Sequence, residues 1–92
     1  MSMHGGAAVA AMIQAIKASG VIVRMEPMEF NNLLGRQEQP LVVHAEQNWL
    51  FTVVHQYLMS YKGLAFYTRT SMPLMLPKDA EVVEARSIWI PG

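Results

Sequence analysis

The sequence predicts an α+β fold: a mixed sheet of four to five strands with one β-α-β unit and one aromatic hairpin, and two helices mainly on one face. Three observations predict it. Apolar residues recur at helical spacing near the start, β-branched runs flank a second helical pattern, and Lys62-Gly63 separates two segments rich in strand-forming residues. The 92 residues are predicted to form a single domain, 1–92, in which 1–6 is a mobile leader.

The two helices are predicted from the spacing of apolar residues and from residues that typically begin or end a helix. The first is predicted over about 7–18, where four apolar residues share one helical face: Val9, Met12, Ile13 and Ile16. The run VIVRM then predicts a strand, because β-branched residues favour extended backbone. The second helix begins at Pro27, which has no N–H to leave unpaired, and ends near Gly35.

A second strand is predicted over 41–45, which completes the β-α-β unit. Its two strands are expected to be parallel neighbours, or one place apart, with a right-handed crossover. Residues 48–56 are ambiguous, because their apolar residues keep helical spacing while their residue types favour strand; strand is preferred from Val53 onward. A hairpin then turns at Lys62-Gly63, with Gly63 at positive φ in a loop of three to five residues that contains a bulge.

The hairpin predicts which aromatic residues are buried. One face of its first strand should pair with one face of its second, as Tyr57, Met59 and Tyr61 against Leu64, Phe66 and Thr68. Phe66 is expected in the core, on the face that meets the helices, while Tyr67 and Arg69 point the other way, towards solvent or a partner. Pro73 restricts 74–76 to a short edge piece, and EVVEARSIWI predicts a final strand region before Pro91.

Composition narrows the function classes. Hydrophobic residues make up 52% of the chain and charged residues only 15%, which is more apolar surface than a small monomer easily buries, so we expect a homodimer. Seven basic residues balance seven acidic ones, and this neutrality argues against nucleic acid as a partner. The absence of cysteine excludes disulfides and thiolate chemistry. No signal peptide or membrane span is predicted, so the expected location is the cytoplasm.

Candidate site residues are few. A small-ligand site around the hairpin would use an arginine, a histidine and the tyrosines, namely Tyr57, Tyr61, Tyr67, Arg69 and His55. His44, His55 and Glu46 lack a metal-site spacing, so no metal is predicted. No catalytic motif gathers a nucleophile and a base, so no catalytic residue and no cofactor are assigned, and an enzyme is the less favoured interpretation.

One motif points to RNA. The segment KGLAFYTR is similar to the RNA-recognition strand pattern, which it matches at Lys62, Gly63, Ala65 and Phe66. Leu64 and Arg69 stand where two of the stacking aromatics belong, so single-stranded RNA binding is a lesser alternative. Two hypotheses therefore lead: a small interaction or accessory protein that acts as a homodimer, or a small-ligand binder or enzyme. A pocket that includes Arg69 would favour the second.

Three segments, IKASGVIVRMEP, YLMSYKGLAFYTRT and IWIPG, resemble a family of small uncharacterised bacterial proteins. The resemblance implies a one-domain bacterial protein and brings no catalytic residue with it. The segment MEPMEFNNLLGRQEQPLVVHA is also similar to the helix-then-strand opening of rhodanese-type domains. Those enzymes use a cysteine nucleophile, and since this chain has no cysteine, the similarity implies no such activity.

Overall fold

The computed structural model describes residues 22–86 and Ile88. The predicted leader 1–6 and the predicted helix 7–18 lie outside these residues. Within them the chain forms five strands and one helix, in the order β1 (Ile22–Arg24), α1 (Pro27–Leu34), β2 (Leu41–Trp49), β3 (Thr52–Tyr61), β4 (Leu64–Thr70) and β5 (Glu81–Ala85).

The five strands form one mixed sheet in the spatial order β1-β4-β3-β2-β5. The three inner strands are antiparallel, since β3 pairs antiparallel with both β2 and β4, whereas the edge strands are parallel to their neighbours: β1 to β4, and β5 to β2. The predicted α+β class and the five-strand mixed sheet are therefore confirmed. The predicted pair of helices is not, because the described residues contain one helix, α1.

The predicted arrangement of the β-α-β unit is wrong. Strands β1 and β2 run in the same direction, but β4 and β3 lie between them, so they are neither neighbours nor one place apart. The later hairpin takes the inner positions of the sheet. Its second strand, β4, pairs along Val23↔Phe66, and the Met25 N–H donates to the Tyr67 carbonyl at 2.8 Å.

Helix α1 packs its apolar face on the sheet. Pro27 opens the helix, and the first helical hydrogen bond runs from the Phe30 N–H to the Glu26 carbonyl at 2.9 Å. Phe30 and Leu34 lie one turn apart on the same side and are fully buried. They form the core of this face with three residues of the central strands, Val42, Tyr57 and Met59.

The aromatic hairpin turns where the sequence predicts, but more tightly. Tyr61 pairs with Leu64, so the loop is only Lys62 and Gly63, at φ 49° and 79°. Positive φ at both central residues is the type I′ pattern, whose twist matches that of paired strands, and no bulge is needed. The predicted cross-strand pairs are confirmed as Tyr57↔Thr68, Met59↔Phe66 and Tyr61↔Leu64.

The other face of the sheet holds a second core, which corrects the prediction for Tyr67. Tyr67 is 2% exposed and does not point to solvent. The cluster consists of Val43, Ala45, Leu58, Ala65, Tyr67 and Ile88. Phe66 does lie on the helix face, as predicted, but it is only partly buried, at the edge of the core formed with α1. Leu64, on the same face near the turn, remains 42% exposed. Both faces of β4 are therefore apolar, so its pattern could not show which one is more deeply buried.

Candidate functional sites

The structure separates the five predicted site residues instead of gathering them. His55 and Tyr57 lie on the helix face of β3, whereas Tyr67 and Arg69 lie on the opposite face of β4. Tyr61 is near the hairpin turn, where its ring packs at 6.5 Å from Phe66 and the Lys62 ammonium lies 5.4 Å from its centre. A single pocket lined by these five residues therefore does not exist.

On the helix face, two histidines and a carboxylate form a hydrogen-bonded chain. His44 Nδ1 lies 3.0 Å from Glu84 Oε2, and His44 Nε2 lies 3.0 Å from His55 Nδ1. The carboxylate only accepts, so His44 donates from Nδ1. Its Nε2 then accepts from His55 Nδ1–H when both rings are neutral. Parallel pairing of β2 with β5 and antiparallel pairing with β3 bring these three strands' side chains together.

Tyr57 completes this cluster and anchors a loop. Its ring stacks on His44 with centroids 4.7 Å apart, and its hydroxyl accepts the Leu74 N–H at 3.0 Å. Burial raises the pKa of the Tyr57 phenol; the Leu74 hydrogen bond opposes the shift, and the charges of Glu84 and Glu46 add to it. The cluster therefore joins three strands and the segment after β4, which is a structural role.

No metal centre is formed by these groups. The described residues contain no set of three or more His, Asp or Glu side chains placed to hold a metal ion. The facing nitrogens of His44 and His55 satisfy each other. Neither of the two clefts described next is lined by His44, His55 or Tyr57.

A cleft of about 330 Å³, the arginine cleft, opens on the opposite face. It is lined by Gln47, Trp49, Val54, Gln56 and Arg69. Strand pairing explains the grouping, because Gln56 pairs with Arg69, and Gln47 pairs with Val54 one step further along. These rows continue the face that carries the Tyr67 core. The cleft begins where that core ends.

Two lining residues are held by the core. Gln56 is only 3% exposed, and its side-chain carbonyl accepts the Ile88 N–H at 3.3 Å. Arg69 Nε donates to the Tyr67 hydroxyl at 3.2 Å, and the guanidinium lies 6.0 Å from the centre of that ring. A buried tyrosine therefore positions an exposed arginine at the mouth of the cleft.

A second cleft, of about 290 Å³, lies beside α1. We call it the methionine cleft, because three largely exposed methionines are among its lining residues: Met28, Met72 and Met75. Pro27, Pro73 and Leu74 complete the apolar wall. Asn31 also lines it, and its buried Oδ1 has no hydrogen-bond partner among the described residues.

Strands β2 and β3 extend beyond the rest of the sheet as a two-stranded arm, 46–53. Strand β5 pairs with β2 only as far as Ala45, and β4 pairs with β3 only from His55. Every residue of the arm is exposed. The ambiguous segment 48–56 is thus resolved: it is strand interrupted by a two-residue turn, Leu50-Phe51, between Trp49 and Thr52.

The turn of the arm, which we call the arm tip, is apolar and conformationally unusual. Leu50 is 86% exposed and Phe51 is fully exposed. Leu50 has φ 55°, a region that favours glycine and is disfavoured for a leucine. Large apolar side chains therefore occupy a position where folding alone would favour a small or polar residue.

Sequence reasoning selected Arg69 but missed the rest of the arginine cleft and the arm tip. Glutamines carry no recognisable motif, and Gln47 and Gln56 meet Arg69 only through strand register. One sequence feature could have indicated the arm tip: the consecutive apolar residues WLF interrupt an otherwise amphipathic pair of strands.

Comparison with protein families, curated proteins and solved structures gives no match for this chain. In the residues that the structure describes, no helix is long and apolar enough to cross a membrane.

Proposed function

We propose that the protein is a small interaction module that acts as a homodimer, in which the arm tip of each copy packs into the methionine cleft of the other. The proposal keeps the cytoplasmic location expected from the sequence. It rests on one observation above all: Leu50 and Phe51 are the exposed end of an arm with which no other strand of the described residues pairs.

The arm is expected to have little stability of its own. A two-stranded hairpin is only marginally stable in water when it has no third strand or packed face. This one also presents two large apolar side chains to solvent and holds Leu50 at positive φ. Strained residues are retained where surrounding structure or function requires them. Contact with a second surface would support the arm and cover its tip.

The position of the methionine cleft supports a second copy as that surface. Strands β2 and β4 run in the same direction, so the arm tip and the segment Met72–Met75 lie at the same end of the sheet. A two-fold axis near this end would let each tip reach the other copy's cleft. Methionines adapt their shape and make favourable sulfur contacts with aromatic rings such as that of Phe51.

The area and charge also suit self-association. Tips and clefts together would bury on the order of 1,000 Å² of apolar surface across two copies. Stable interfaces bury about 1,200–2,000 Å², of which somewhat more than half is apolar. A net charge of zero adds no general repulsion between identical chains.

The test is the solution mass of tip variants. Light scattering at tens of micromolar should give about twice 10.3 kDa for the parent protein. Leu50→Gly removes the apolar side chain and accepts positive φ, so it should give the mass of a folded monomer. Phe51→Ser should give the monomer mass as well.

A matched control separates the tip from general hydrophobicity. Leu64 is also an exposed leucine but lies at the opposite end of the sheet, and Leu64→Thr keeps a good strand residue there. Leu64→Thr should remain dimeric. A monomeric parent would refute the dimer, and a dimer unaffected by both tip substitutions would refute the tip as its contact.

A further inference from the structure

We infer that the arginine cleft is a binding site for a small organic carboxylate with a flat apolar body. This inference is independent of the proposed dimer, because the cleft faces away from α1 and is built from a different set of residues. It follows from the charge around Arg69, from the hydrogen-bonding groups of the lining and from the shape of the cleft.

Among the described residues, no carboxylate forms an ion pair with Arg69. All seven acidic side chains belong to the described residues, and the close contact between a carboxylate and a basic side chain among those residues is His44–Glu84, not a contact with Arg69. Glu46 and Glu84 lie on the other face, beside the histidines. Arg24 pairs with Tyr67 in the sheet and so shares the face of Arg69. Two arginines, Arg24 and Arg69, therefore lie on this face.

The hydrogen-bonding groups are mainly donors. Tyr67 already accepts from Arg69 Nε, which leaves the two terminal NH₂ groups of the guanidinium as a parallel pair of donors. The carbonyl of Gln56 is bonded to Ile88, so the group that this buried amide can offer a ligand is its NH₂. A carboxylate matches this pattern, since its two oxygens accept from a guanidinium in bidentate geometry.

The other side of the cleft is apolar. Trp49 and Val54 form it, and the exposed indole of Trp49 provides a flat surface for an aromatic or planar group. A volume of about 330 Å³ suits a compact molecule and lies at the small end of ligand pockets. The combination of a fixed arginine, a buried amide and an indole therefore selects the class of aromatic or flat aliphatic carboxylates.

The inference can be tested by comparing the binding of three compounds: benzoate, benzamide and inorganic phosphate. Benzamide keeps the ring and removes the charge, and phosphate keeps the charge and removes the ring. Titrations followed by NMR should show saturable benzoate binding with a dissociation constant of about 10 mM or tighter. Shifts should appear at the Trp49 indole N–H, the Arg69 Nε–H and the Gln56 side-chain NH₂. Benzamide and phosphate should each bind at least about tenfold more weakly.

Arginine variants identify the recognising group. Arg69→Gln should weaken benzoate binding by about 10- to 100-fold, and Arg69→Lys by less, because lysine keeps the charge but not the planar pair of donors. Arg24→Gln is the matched control, since Arg24 is an exposed arginine on the same face that does not line the cleft. It should bind benzoate as the parent does.

Several results would overturn the inference. These are no saturable benzoate binding up to tens of millimolar, equal binding of benzamide, equal binding of phosphate, or an equal loss in Arg24→Gln. The Leu50→Gly variant should bind benzoate normally, because Leu50 does not line the cleft. Failure of this site and failure of the proposed dimer are therefore distinguishable.

Discussion

The second core makes Tyr67 a larger contributor to stability than Phe66, the reverse of the order that the sequence suggests. Tyr67 is 2% exposed and packs among aliphatic residues of β2, β3 and the end of the described chain. Truncating a buried aromatic side chain to alanine lowers the free energy of unfolding by about 3–5 kcal/mol. For a 92-residue domain with a total stability of roughly 5–14 kcal/mol, that is about a fifth of the total or more.

Two other substitutions, Phe66→Ala and Tyr67→Phe, should lower the free energy of unfolding less. Phe66 is only partly buried, so Phe66→Ala should remove about 2–3 kcal/mol, less than the value for full burial. Tyr67→Phe keeps the packing and loses only the hydroxyl that accepts from Arg69 Nε. Since Arg69 is exposed and can bond to water instead, that change should lower stability by about 1 kcal/mol or less.

Urea unfolding followed by circular dichroism measures these differences. All variants should be made in the Leu50→Gly background, because dimer formation would add a concentration-dependent term to the free energy of unfolding. The expected order of loss is Tyr67→Ala, then Phe66→Ala, then Tyr67→Phe. A Tyr67→Ala protein within about 1 kcal/mol of its parent would refute the second core.

Two further predictions concern the hairpin turn and the tyrosine cluster. Gly63→Ala should lower the free energy of unfolding by about 1 kcal/mol through backbone strain alone, since no atom lies near the added Cβ; Gly35→Ala, at φ −65°, should be neutral or better in the same urea experiment. Because burial raises the pKa of Tyr57 above 10.0, its contribution to stability is complete below pH 10 and is lost as pH rises through that raised pKa. Parent and Tyr57→Phe proteins, unfolded in urea at pH 8 and about pH 11, should therefore differ in alkaline sensitivity, with the larger loss in the parent; equal losses would refute the burial effect.

The parts of the fold that the sequence predicts well are those set by neighbouring residues. Pro27 marks the start of α1 through its own geometry, and Lys62-Gly63 fixes a hairpin whose register then determines every pair between β3 and β4. The strand order cannot be predicted from neighbouring residues, because β1 pairs with β4 across some forty residues and no local signal selects that partner. The β-α-β expectation failed for this reason.

The candidate sites depend on the same non-local pairing. Arg69 stood out as a charge in an aromatic segment, but Gln56 becomes its neighbour only through the β3–β4 register. The arm tip escaped prediction because Leu50-Phe51 contains none of the residues that mark tight turns. Helical spacing around it also competed with the strand signal. A turn without turn residues is itself an indication that these side chains serve a contact.

The contact between arm tip and methionine cleft can be observed directly. Protein carrying ¹³C-labelled methionine methyl groups would be mixed with unlabelled protein, and an isotope-filtered NOE experiment would detect only contacts between copies. The proposed dimer predicts NOEs from the methyl groups of Met28, Met72 or Met75 to the Phe51 ring of the other copy. Intermolecular NOEs confined to other surfaces, such as the exposed Val23 and Val82 of the edge strands, would contradict it, as would a species of 10.3 kDa with no intermolecular NOE at all.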